Sequence, residues 1–134
     1  MSDFFHTFGW ATILTGLLAG AAQGLFFHRA DWLGGYSSWR RRLMRLGHVS
    51  FVGLGILNLA FASTVARFEA ANRGMDGIDE ALMYLCAGAL LAAGTVLMPV
   101  ICYSSAWREQ FRYLFFLPVG CLVTAVALIV FFGG

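Results

Sequence analysis

The stretch ALMYLCAGALLAAGTVLMPVICYS, residues 81–104, contains no Asp, Glu, Lys or Arg. As a helix of about 24 residues it extends roughly 36 Å, enough to cross a hydrocarbon core about 30 Å thick. In lipid it must be helical, because only then do its backbone amides satisfy one another without water. The strict alternation of a barrel strand is absent. Three further segments read the same way, at residues 4–27, 46–66 and 113–132, and none of them contains a charged residue. The chain is therefore expected to be an all-α membrane protein, a single domain built as a bundle of four transmembrane helices.

Composition agrees. Of 134 residues, 60% are apolar and only 12% charged, with a mean hydropathy of +0.76. A soluble domain carries about 25% charged residues and 45–50% apolar ones. The net charge of +2 is too small for a nucleic-acid partner. No Lys or Arg precedes the first apolar run, and Asp3 is acidic, so that run reads as a retained helix and not a signal peptide.

The connections set an expected orientation. Residues 28–45 carry Arg29, Arg40, Arg41, Arg42 and Arg45 against Asp31 alone. Residues 67–80 carry Arg67 and Arg73 against Glu69, Asp76, Asp79 and Glu80, and residues 107–112 carry Arg108 and Arg112 against Glu109. Arginine-rich loops stay in the cytoplasm. Loops one and three are thus expected inside and both termini on the outer, periplasmic side of the cell (inner) membrane. Trp32, Tyr36, Trp39, Tyr103, Trp107 and Tyr113 fall where amphipathic rings meet headgroups. Ser37-Ser38, just before the arginine run, reads as a helix start.

In lipid there is little hydrophobic drive between helices, so small residues that admit close backbone approach become the packing code. Gly16, Gly20 and Gly24 form such a stripe on the first helix, Gly55 lies between His48 and Ala62 on the second, and Gly88 shares a face with Tyr84, Ala92, Thr95, Pro99 and Cys102 on the third. The stripe is expected to pack either within this chain or against another subunit or a second copy. Pro99 and Pro118 remove bonds to Thr95 and Leu114 and are expected to loosen the third and fourth helices.

Residues with chemistry are few. Cys86, Cys102 and Cys121 form no pair with disulfide or zinc spacing. There is no metalloprotease pair, phosphate loop or CxxC, and the spans hold no carboxylate of the kind transporters use. His48 on the second helix is the strongest candidate, with His28 and Met98 expected at similar depth, and the three are hypothetical haem b ligands. Asn58, in mid-membrane, reads as an interhelical hydrogen bond. Three functions compete. The first is a non-catalytic subunit or assembly partner of a larger membrane complex, of which an electron-transfer complex is one instance. The second is a small single-haem b-type cytochrome or haem-handling protein using His48. The third is an oligomeric small-molecule permease or channel.

Overall fold

Runs of Leu, Ala, Met and Arg favour helix, and serine and glycine mark where the chain turns. In the computed structural model, which describes residues 1–71 and 78–132, these preferences resolve into four helices: α1 (Ser2–Phe26), α2 (Trp39–Ala71), α3 (Ile78–Trp107) and α4 (Phe116–Phe132). Short 3₁₀ segments at Trp32–Gly34 and Glu109–Phe115 precede α2 and α4. Among the described residues there is no strand, and four helical segments are long and apolar enough to cross a membrane, the fourth being α4 together with the 3₁₀ segment before it, Glu109–Phe132. Arg73 and Asp76 lie outside the described residues.

α2 starts seven residues before the apolar segment does, at Trp39 instead of Leu46. Arginine is a good helix former, so nothing ends the helix where the apolar run ends. Ser38 caps it: the Arg41 amide donates to Ser38 Oγ at 3.3 Å, and that hydroxyl donates to the Leu33 carbonyl at 2.7 Å. His48 consequently sits in the third turn of α2, not the first. The fourth helix instead starts three residues later than its apolar segment, with the opposite consequence. α4 begins at Phe116, so Pro118 lies in its first turn, where the missing N–H would have had no intrahelical acceptor anyway. The loosening expected there therefore falls away. Pro99 is interior to α3, and the helix runs on past it to Trp107.

Consecutive helices are neighbours: α1 packs on α2, α2 on α3, and α3 on α4. The burial of each apolar span, 44% for α3 and 28% for α2 against 22% for α1 and 11% for α4, makes the middle two the centre. An aromatic cluster closes the end where α1 begins. Phe5 meets Phe61 edge-on with centroids 4.7 Å apart, and Phe68 lies 4.6 Å from Tyr84. A methyl added at Gly88 would fall 2.6 Å from Phe5 Cζ, so this glycine makes room for an α1 ring against α3. Ser2 also donates to Glu69 Oε2 at 2.6 Å, tying the start of α1 to the end of α2.

The α1–α2 seam is tight. A methyl at Gly9 would lie 2.9 Å from the Gly55 carbonyl oxygen, and one at Gly16 would lie 2.8 Å from Val52 Cγ2 and 3.0 Å from the His48 carbonyl oxygen. Gly24 meets nothing within 4 Å. The buried face of α1 runs Phe5, Gly9, Thr12, Gly16, Gln23, steps of three, four and seven that hold one side of a 3.6-residue helix. Steps of four drift about 40° each, which carries Gly24 off the seam by the helix end. Gly9, the seam glycine that a four-residue stripe omits, sits one heptad before Gly16. Away from the seam, Leu14, Leu17, Leu18 and Leu25 of α1 and Val123, Val130 and Phe131 of α4 are exposed. So much outward apolar surface suits lipid and would be an aggregation hazard in water.

Candidate functional site

At the arginine-rich end of the bundle, the three helices α1, α2 and α3 bring polar side chains together. Gly47 of α2 admits the Tyr103 ring of α3, since a methyl there would fall 2.9 Å from Tyr103 Cζ. The ring so placed carries its hydroxyl to α1, where Gln23 Nε2 donates to it at 3.1 Å. His48, one residue on and about 100° around α2, turns to α1 and lies against Gly20. Its Cδ2 and Nε2 are 3.1 and 3.5 Å from where a Gly20 methyl would stand. His48 Nδ1 and Ser105 Oγ are buried without a hydrogen-bond partner among the described residues, and Cys102 is fully buried.

The three hypothetical haem ligands are not gathered around a common space. His28 is exposed on the turn past the end of α1. Met98 is half-buried on α3. The pairings of Asn58 with Thr95 and Gly47 with Tyr103 set the α2–α3 register, and that register places Met98 roughly 6–10 Å from His48 along the axis at 1.5 Å per residue. The Cδ2–Nε2 edge of the His48 imidazole is turned toward Gly20. No group of three or more His, Cys, Asp or Glu suited to a metal occurs among the described residues.

In mid-span, Asn58 is fully buried between α2 and α3. Its Nδ2 donates to Thr95 Oγ1 at 2.8 Å and to the Leu54 carbonyl at 2.7 Å, while the Thr95 hydroxyl donates to the Leu91 carbonyl at 2.7 Å. This is the interhelical bond that the sequence leads one to expect of a mid-membrane Asn. Thr12, Thr15, Ser50, Ser63 and Thr64 return their hydroxyls to carbonyls of the preceding turn of their own helices.

Arg41 is the residue whose surroundings sequence reasoning did not foresee. Counted with four other loop arginines only to orient the chain, it is 0% exposed. Its guanidinium carbon stands 3.9 Å from the Tyr36 ring centroid, 4.5 Å from Phe27 and 5.4 Å from Trp32. Nη2 donates to the Phe27 carbonyl at 2.7 Å, one of the carbonyls left over at the end of α1. The available signal was the spacing of Phe27, Trp32 and Tyr36 ahead of the arginine run, which reads equally well as a headgroup-level aromatic belt.

The chain matches no protein-family model, no curated protein and no solved structure. Its functional reading therefore rests on this geometry.

Proposed function

We propose that the chain is a non-catalytic, four-pass subunit of a larger complex in the cell membrane, with loops one and three cytoplasmic and both termini outside. The observation that carries this reading is that the spans' side-chain hydrogen bonds close inside the bundle, with His48 Nδ1, Asn58 Oδ1 and Ser105 Oγ alone in the spans left buried without a partner among the described residues. The side-chain hydrogen bonds described within the spans end on the helix's own backbone or on a neighbouring side chain, as Asn58 does on Thr95 and Gln23 on Tyr103. Close glycine contacts between α1 and α2 and the Asn58–Thr95 bond between α2 and α3 give the bundle the make-up of a scaffold. The sparsely buried α4 and the outer face of α1 supply apolar surface to which helices of partner subunits can pack.

The test is affinity purification of the full chain from gently solubilised membranes, with quantitative mass spectrometry of what accompanies it. The expected result is one or more different membrane polypeptides at near-stoichiometric amounts. Recovery of the chain only as a monomer, or only as a closed ring of copies, would count against the proposal, and the ring would favour a permease or channel.

A further inference from the structure

Arg41 presents a problem in charge accounting. A guanidinium stays protonated at any pH a protein survives and carries five N–H donors. One of those donors meets the Phe27 carbonyl. Nε and Nη1, which hold three more, are buried with no hydrogen-bond partner among the described residues. Among the described residues no carboxylate lies within ion-pair distance of Arg41, and the one acid of this loop, Asp31, is exposed. Facing rings attract the cation but give its N–H groups no acceptor in their own plane. A buried charge in this condition is strongly disfavoured unless an anion completes it.

The cover over the guanidinium has a backbone suited to movement. Trp32–Gly34 is a single 3₁₀ turn, and Leu33, Gly34 and Gly35 follow one another at φ 56°, 86° and 92°. The left-handed region is ordinary for the two glycines and strained for Leu33. Trp32, one of the three rings on the guanidinium, belongs to this turn. Around the cage, Arg29, Arg40, Arg42 and Arg45 are all exposed, so the local field is positive and draws anions.

We propose that Arg41 is the core of a binding site for a phosphate group, completed when the Trp32–Gly35 turn shifts and an oxyanion bonds the free N–H donors. Arginine suits phosphate oxygens through several charge-assisted bonds at once. The site lies at the end of an apolar span, at headgroup depth, so the phosphate of an anionic phospholipid and soluble phosphate share the required chemistry.

Native mass spectrometry of the full chain released from detergent micelles tests this, with phosphatidylglycerol and phosphatidylcholine of identical acyl chains as probes. The expected result is about tenfold preferential retention of phosphatidylglycerol. Arg41→Met abolishes this preference and Arg42→Gln, at an exposed arginine, largely keeps it. Trp32→Ala retains Arg41, opens its cover and is expected to raise retention, which keeps the proposal falsifiable should Arg41→Met fail to fold. Loss of the bound lipid on adding millimolar inorganic phosphate supports the site and assigns it to soluble phosphate, while resistance to phosphate assigns it to lipid. Equal retention of the two lipids by the wild type would overturn the proposal. So would equal loss of preference in Arg41→Met and Arg42→Gln, which would reduce the effect to general attraction by the arginine cluster.

Discussion

Alanine at Gly55 is expected to destabilise the bundle by about 3 kcal/mol or more, the upper range for overpacking a close contact. The added methyl would fall 2.6 Å from Ile13 Cγ1, 2.8 Å from the Gly9 carbonyl oxygen and 3.1 Å from the Ile13 amide nitrogen. Two of those three atoms are backbone, so no rotamer change relieves the clash, and α1 must move away from α2. That movement forfeits dispersion contacts along the whole seam, each worth only about 0.1–0.2 kcal/mol but numerous. Gly53, on the same helix, has nothing within 4 Å, and alanine there should change stability by no more than about 0.5 kcal/mol. Gly20→Ala belongs between them, because the methyl would meet only the edge of the His48 ring, at 3.1 Å. Unfolding of purified variants in mixed micelles, followed by circular dichroism against denaturing detergent, measures all three. Equal losses at Gly55 and Gly53 would refute the seam.

The second large effect concerns Thr95. Thr95→Val removes the acceptor of one Asn58 N–H at a site with no water access. Leaving a buried donor unsatisfied costs about 1–3 kcal/mol. Asn58→Leu leaves no such orphan, because the Thr95 hydroxyl keeps its bond to the Leu91 carbonyl. The double variant, with both polar partners gone, should therefore be more stable than Thr95→Val alone. Coupling energies between polar side chains in membrane helices average about 0.6 kcal/mol and reach about 1.7, so a double-mutant cycle in the same micelles should return a value in that range. Strictly additive losses would mean that the bond contributes nothing.

These expectations mark what the sequence could and could not convey. The four spans were legible because burying backbone in lipid leaves a continuous apolar run and no alternative to helix. Asn58 was legible for a related reason, since a polar side chain at that depth must find a partner on a neighbouring helix. Depth, however, does not give the direction a side chain faces. His28, His48 and Met98 could be placed at one level by counting residues, yet α1 ends before His28 and the α2–α3 register lifts Met98 away from His48. Gly24 looked equivalent to Gly16 and Gly20 until the drift of four-residue steps carried it off the seam. Arg41 was hidden by a rule that treats loop arginines alike, counting charge without asking which one a ring of aromatics encloses.

Four crossings with the arginine-rich hairpin inside is the claim on which the partner complex and the phosphate site both depend. The most direct measurement replaces Cys86, Cys102 and Cys121 and introduces single cysteines at Ser37, Glu109 and Ala70, three exposed positions in or beside the connections. Sealed right-side-out membranes are then treated with a membrane-impermeant maleimide. The predicted result is labelling at Ala70 in intact membranes, and labelling at Ser37 and Glu109 only after the membranes are opened. Labelling of Ser37 in sealed membranes, or of all three positions alike, would contradict the account.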